Sequence, residues 1–197
     1  GCSTGQEAYS IAMAFAESAE GIPRAPKLQV FATDLNESLL DKARRGLYAK
    51  SIEDAVSPER LRRFFVEEDG GYRVVKSLRE MVVFARQNLI SDPPFSRMDL
   101  ISCRNLLNYL EPILQRDAIP TFHYALKPGG FLLLGTSESI GGFTDLFDPV
   151  DKKHRIYCKK TTPTPASHLP IKKYRSDQPL HGAPPPERTG GGDRLQG

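Results

Sequence analysis

The chain has 197 residues, 39% of them hydrophobic and 26% charged, enough apolar residues for one packed domain with some chain to spare. Lys and Arg number 27 against 24 Asp and Glu; residues 161–197 hold five of the bases and three of the acids, which leaves 22 against 21 in residues 1–160. So neutral a body argues against a nucleic-acid surface, which needs a basic stripe, and no apolar run approaches the roughly 18 residues of a membrane span. Cys2, Cys103 and Cys158 are odd in number and far apart, which fits neither a disulfide framework nor a zinc site. With no secretory signal pattern, a reducing, cytoplasmic setting is expected.

In chain order, Ile11, Ala12, Phe15 and Ala16 fall at helical spacing and predict a helix over 5–19, stopped by Gly21 and Pro23. Residues 28–33 read as a short apolar strand ending on Asp34. Asn36 looks like the N-cap of a helix carrying Leu39, Leu40 and Ala43, with Gly46 as its C-terminal stop. Ser57 before Pro58 is a cap followed by proline at the first helical position, and that helix is expected to reach about Val66. Asp69-Gly70-Gly71 is a hairpin signal, with 72–76 and 80–85 as candidate short strands. Residues 98–103 read as a buried strand. A helix over 111–126 should be kinked by Pro120. Residues 127–130 form a Pro-Gly-Gly turn, followed by strands at 131–135 and 155–159. Residues 161–197 contain seven Pro and five Gly, too little apolar surface to offset ordering entropy, and are expected to be a disordered linker.

Alternating strands and helices imply an α/β sheet with helices on both faces, whose ligands sit outside the carboxyl ends of the strands. The polar residues at those ends are therefore the candidates for chemistry. Gly1-Cys2-Ser3-Thr4-Gly5 opens a helix and suits close backbone approach to a ligand, although a plain structural turn reads the same way. It is neither a Gly-x-Gly-x-x-Gly fingerprint nor a P-loop. Asp34, at the end of the expected 28–33 strand, can accept two ribose hydroxyls, or can simply cap the next helix. Asn88-Leu89 and Asp92-Pro93-Pro94-Phe95 precede the 98–103 strand, and Cys103-Arg104-Asn105-Leu106-Leu107-Asn108-Tyr109 follows it, which suggests a site wall. Together these features favour a nucleoside-containing cofactor.

Five segments then occur in order: Gly-Cys-Ser-Thr-Gly-Gln-Glu-Ala-Tyr-Ser (1–10), Phe-Ala-Thr-Asp-Leu (31–35), Cys-Arg-Asn-Leu-Leu-Asn-Tyr (103–109), Leu-Lys-Pro-Gly-Gly (126–130) and Gly-Thr-Ser-Glu-Ser (135–139). Over about 1–160 the chain resembles the CheR family of chemotaxis methyltransferases, which methylate glutamate side chains on chemoreceptors using S-adenosyl-L-methionine. It looks most like the version fused to a CheB-type methylesterase and to sensory domains. The resemblance implies a Rossmann-like class I methyltransferase sheet with a small antiparallel β-subdomain. It also implies a first strand and an N-terminal helical domain that are missing here, so that 1–160 is an N-terminally truncated domain, expected to be unstable and inactive alone.

By the same resemblance, Glu7 contacts the cofactor near its loop, Asp34 holds the ribose hydroxyls, and Asn88 and Leu89 border the adenine. Arg104 and Asn105 line the methionine end, where Arg104 and Tyr109 are the residues nearest methyl transfer. The implied partner is the cytoplasmic domain of a methyl-accepting chemoreceptor; no metal is implied. Gln6 departs from the family's Glu-Glu pair, and the short hairpin near Asp69 argues against binding of a receptor tail peptide. The rival readings are a non-catalytic cofactor- or receptor-binding module and a nicotinamide oxidoreductase; the absent third glycine and the lack of a hydride-site His speak against the latter. Cys2 and Cys103 are expected to pack, and His123 to pack or to lie at the surface. Arg44, Arg45, Arg60, Arg62 and Arg63 are expected to form solvated helix faces, or to meet an acidic receptor bundle.

Overall fold

A computed structural model describes residues 1–164. Most of the linker expected over 161–197 therefore lies outside the described residues.

The first helix, α1 (Gln6–Ser18), starts from Gly5 in the left-handed region at φ 87°. It buries Ala8, Tyr9, Ala12 and Met13; Ile11, Phe15 and Ala16 are only half-buried. The helix is thus rotated from the stripe read in the sequence. Tyr9 sets the rotation: its hydroxyl donates to the Ala43 carbonyl at 2.8 Å, and its ring stands edge-on to Tyr48 and Phe84. Strand β1 (Val30–Asp34) leads to α2 (Glu37–Arg45). The Asn36 side chain accepts from the Leu39 amide, and Gly46 closes the helix at φ 61°, as both residue types favour.

A three-stranded antiparallel sheet follows. Strand β2 (Leu47–Ala49) is joined by a short 3-10 turn to α3 (Pro58–Phe64), which is capped by Ser57. The helix ends two residues before its expected limit because Phe65 turns extended and opens β3 (Phe65–Glu68). Asp69-Gly70 is the expected hairpin turn, but it joins β3 to β4 (Gly71–Val74), with Phe65 opposite Val74 and Glu68 opposite Gly71. Residues 72–76 and 80–85 do not pair with each other. A single turn of helix, α4 (Lys76–Arg79), intervenes, and β5 (Val82–Arg86) lies parallel to β1 instead. The reason is burial: beside β1, Val82 and Phe84 join the core around Ala32, which a two-stranded hairpin would not offer.

The remaining strands form a second sheet in the order β6 (Met98–Cys103), β7 (Leu126–Leu134), β9 (Ile156–Lys159), β8 (Phe147–Asp151). β6 and β7 are parallel and the other neighbours antiparallel. The pairing jumps from Met98 opposite Leu126 to Leu100 opposite Phe131, so the expected Pro-Gly-Gly turn is a bulge inside β7, with Gly129 at φ 73°. Helix α5 (Pro112–Ala125) runs unbroken across Pro120, whose ring is fully buried. β6 is less buried than expected, with Asp99 and Leu100 exposed, because among the described residues only one of its edges is paired.

Two apolar cores result. One gathers α1, α2, α3 and α4 on β1, β5 and the three-stranded sheet; the other gathers α5 on β6, β7 and β9. The mixed α/β architecture with a small antiparallel subdomain is as expected. No ladder hydrogen bonds join β1 to β6 among the described residues. The two halves meet instead through side chains at the carboxyl ends of their strands. Among the described residues, no helix is long and apolar enough to cross a membrane.

Candidate functional site

Residues 1–5 cross the carboxyl ends of both parallel pairs. The Cys2 amide donates to the Thr33 carbonyl at 2.9 Å, and the Ser3 amide donates to Asp34 Oδ2 at 2.8 Å. Ser3 reaches this position at φ 51°. A Cβ on Gly1 would lie 3.2 Å from Leu106, just beyond β6. Gly5 serves the turn and the packing rather than a ligand: at φ 87°, a Cβ there would come within 2.9 Å of Ala43 and of the Phe84 ring. Tyr48 of β2 steadies the same loop by donating its hydroxyl to the Thr4 carbonyl at 2.8 Å.

Asp34 is half-buried at the end of β1. Burial acts to raise its pKa, but amide donation from Asn36 and Ser3 outweighs it and holds the carboxyl below its usual 3.8. Each oxygen takes one of these bonds, Oδ1 from Asn36 at 2.9 Å and Oδ2 from Ser3 at 2.8 Å. A carboxylate has about four lone-pair sites, so both oxygens keep capacity for an outside hydroxyl.

Glu7, in the first turn of α1, faces the other half of the molecule. Its Oε1 accepts from Ser102 Oγ at 2.7 Å and its Oε2 from Arg104 Nη1 at 3.1 Å. Glu7 and Arg104 are thus brought into direct contact from positions 97 apart in sequence. Ser102, on β6, escaped the sequence reading; its signal was a polar residue in an apolar strand, two positions before a charged loop. Gln6 makes a different contact, accepting from the Thr4 hydroxyl at 2.5 Å, and is exposed.

Asn105 follows Arg104 in the left-handed region at φ 56°, with its amide bonded to the buried Glu138. Tyr109 ends a 3-10 turn and stands 84% exposed, outside both apolar cores. Asn88 spends its side chain within its own loop: Oδ1 accepts the Ile90 amide at 2.9 Å, and the Asn88 amide donates to Asp92 at 2.7 Å. This turn presents Leu89 to the α5 core. The Gln87 amide, donating to the Asp34 carbonyl at 3.2 Å, keeps that loop beside the end of β1.

Neither site cysteine is poised as a nucleophile. Burial pushes Cys2 up to about 11 and Cys103 up to about 12, so both are thiols near neutrality. Among the described residues no group of three His, Cys, Asp or Glu gathers to hold a metal ion.

Comparison with known proteins bears on this geometry. The family model for the CheR methyltransferase, SAM binding domain, matches residues 1–156. A chemotaxis protein methyltransferase of Vibrio parahaemolyticus is 40% identical over 152 residues, covering 75% of this chain and 55% of that protein. One from Pseudomonas aeruginosa, chemotaxis protein methyltransferase 1, is 38% identical over 155 residues, covering 76% and 56% respectively. An uncharacterized 104.1 kDa protein of Rhodobacter capsulatus is 43% identical over 157 residues, covering 80% of this chain but 16% of that protein. The chain therefore spans little more than half the length of the two chemotaxis relatives, and a small part of the larger one.

Proposed function

The chain belongs to the CheR methyltransferase family, matched through its S-adenosylmethionine-binding domain, and from that premise we propose that it transfers a methyl group to glutamate carboxylates of a chemoreceptor's cytoplasmic domain. The observation that carries this reading is the ion pair of Glu7 with Arg104, which joins the first helix to the loop after β6, in a chain whose Asp34 carboxyl is held below its usual pKa by amide donors. S-adenosylmethionine supplies an electrophilic methyl group on a sulfonium centre.

The residues present fit that cofactor. Asp34 keeps free acceptor capacity on both oxygens for the two ribose hydroxyls. Glu7 and Arg104 offer one negative and one positive charge to the amino and carboxylate groups of the methionine end. Asn88 and Leu89, on the loop tied to β1, would border the adenine, and Asn105 would complete the wall after Arg104. Tyr109, which stands free in solvent, is available to fold toward the acceptor.

No residue of the chain has to remove a proton. A glutamate acceptor has a pKa of about 4.3 and is already ionised at neutral pH, which suits a site wall without histidine. Arg104 is 43% exposed along its side chain while paired to Glu7, so its guanidinium keeps donors free to orient an incoming carboxylate. Glu7 tempers that attraction, since holding the acceptor too tightly would stabilise the ground state. The chain's remaining contribution is positioning, which can lower a barrier by several kcal/mol. A cytoplasmic protein, fused to methylesterase and sensory domains, accords with this reading.

Calorimetric titration of the full-length protein with S-adenosylhomocysteine tests it. Micromolar binding that is lost in Asp34→Ala, with methyl transfer from labelled cofactor to receptor glutamates, is the expected result. A folded protein that binds no S-adenosylhomocysteine would refute the reading.

A further inference from the structure

Glu138 is 3% exposed and appears in none of the ion pairs among the described residues. A carboxylate so placed must be met by other donors, since an unpaired buried charge is strongly disfavoured. Four backbone amides meet it. Oε1 accepts from Leu106 and Leu107 at 2.8 Å each; Oε2 accepts from Asn105 at 3.0 Å and from Gly135 at 2.7 Å. Three of the donors are consecutive. The left-handed Asn105 followed by the right-handed Leu106 turns successive N–H groups toward one point, the concave backbone arrangement that binds anions. Here the anion is built into the protein. The approach is close enough to require glycine opposite: a Cβ on Gly135 would lie 2.7 Å from Glu138 Oε2 and 2.9 Å from Asn105 Oδ1. The Glu138 amide closes its own turn by donating to the Gly135 carbonyl at 2.9 Å.

We propose that Glu138 is a positioning residue for methyl transfer: its carboxylate clamps the backbone of the loop after β6 onto the end of β7 and so fixes where Arg104 and Asn105 present their side chains. This rests on the methyltransferase reading above. Arg104 is held at two points, by Glu7 at its guanidinium and by Glu138 through the next residue's amide. Neither hold suffices alone. The Glu7 pair leaves the backbone free to slide, and the amide clamp leaves the long side chain free to rotate. With Gln at 138, one carboxylate oxygen becomes an NH2 group facing two amide donors, so the clamp opens on one side although size and shape are kept. With Asp the charge stays, but the shorter reach cannot satisfy all four amides.

The test uses the full-length protein with wild-type Glu138, Glu138→Gln and Glu138→Asp, and Leu132→Val as a control substitution in the same core. Hydrogen exchange without cofactor reads the clamp: the amides of 105–107 and 135 should be protected in the wild type and exchange at least tenfold faster in Glu138→Gln. S-adenosylhomocysteine affinity and steady-state kinetics read its function. Glu138→Gln should lower kcat on the order of 10- to 100-fold, as a displacement of reacting groups by about 1 Å does, with a smaller rise in the KM for receptor. Glu138→Asp should fall between the two, and remains informative if Glu138→Gln does not fold. Leu132→Val should lose thermal stability with little change in kcat. Unchanged protection in Glu138→Gln overturns the proposal, as does a kcat loss no greater than that of a control of equal stability. If the wild type binds no S-adenosylhomocysteine, the methyltransferase reading is what fails, and the exchange measurement, which needs no cofactor, still decides the clamp.

Discussion

Ser102 Oγ donates to Glu7 Oε1 at 2.7 Å across 95 residues of sequence. The bond ties the first helix to β6 where, among the described residues, no backbone ladder joins the two halves. It also fixes which oxygen of Glu7 remains for Arg104. Ser102→Ala should therefore act on both stability and ligand binding. A hydrogen bond to a charged group contributes about 1.5–3 kcal/mol, and a half-exposed pair should lie at the low end. Urea unfolding should show a loss of about 1–2 kcal/mol, and titration with S-adenosylhomocysteine a several-fold weakening. An unchanged affinity would mean that Glu7 needs no support from β6.

Gly5→Ala should be much more damaging. A non-glycine residue in the left-handed region costs roughly 1–2 kcal/mol. The added Cβ would also press on Ala43 and Phe84, and overpacking costs about 1–3 kcal/mol more. A loss of about 3 kcal/mol is expected in equilibrium unfolding. A loss below 1 kcal/mol would show that the loop can move aside.

Acid should act at two places with different pH windows. His123 is fully buried, with Nδ1 on the Thr164 hydroxyl at 2.7 Å, Nε2 facing the Lys160 carbonyl and its ring edge-on to Phe147. Burial first, and the nearby Lys159 charge second, lower its pKa below 6.5. The unfolded chain thus takes up this proton before the folded one does. The stability contribution is intact above about 6.5 and is lost as pH falls toward the lowered folded value, by at most about 1.4 kcal/mol per pH unit. The slope of unfolding free energy between pH 6.5 and 5 should shrink in His123→Gln. Asp34 has its carboxyl lowered from 3.8, so its contribution is present above about 3.8 and lost only as pH falls through its folded value. Cofactor affinity should accordingly show no Asp34 titration between pH 5 and 8; a carboxyl titration within that range would contradict the amide bonding described here.

Alkylation distinguishes the cysteines. With Cys2 near 11 and Cys103 near 12, native protein at pH 8 should react with iodoacetamide at these two positions at least tenfold more slowly than unfolded protein, since the thiolate is the reactive form. Peptide mapping after a timed exposure measures this. Fast labelling of Cys103 would require the second core to open.

Much of this was legible in the sequence because it is local. Asn36, Gly46, Ser57 and Pro58 act on the turn that they occupy, and all four stand where their chemistry places them. The errors arose where long-range burial chose between alternatives that look alike locally. Residues 80–85 read as a hairpin arm, yet Val82 and Phe84 are drawn to Ala32. Ile11 and Phe15 looked like a core stripe, yet the Tyr9 hydroxyl and ring orient the helix differently. Leu47–Ala49 was missed because three residues carry no periodicity. Around the site, the quoted segments contained Glu7, Asp34, Arg104, Asn105, Tyr109 and Glu138 but not their contacts, while Ser102, Tyr48 and Gln87 went unread. Nothing in Gly-Thr-Ser-Glu-Ser indicates that its glutamate would turn inward to four amides, because three of those amides lie about thirty residues upstream.

The Tyr48 hydroxyl on the Thr4 carbonyl has a consequence for how such domains can diverge. A Cβ added at Gly70, at the tip of the β3–β4 hairpin, would meet nothing within 4 Å beyond its chain neighbours, so lineages can lengthen or recompose that tip without disturbing anything beneath it. The opposite margin of the same little sheet has no such freedom. Slipping β2 by one residue against β4 would turn Tyr48 to the other face, and any side chain at Gly71 would run into the Tyr48 carbonyl. Insertions are therefore expected to accumulate at one border of the subdomain, while the other stays constant in length and register.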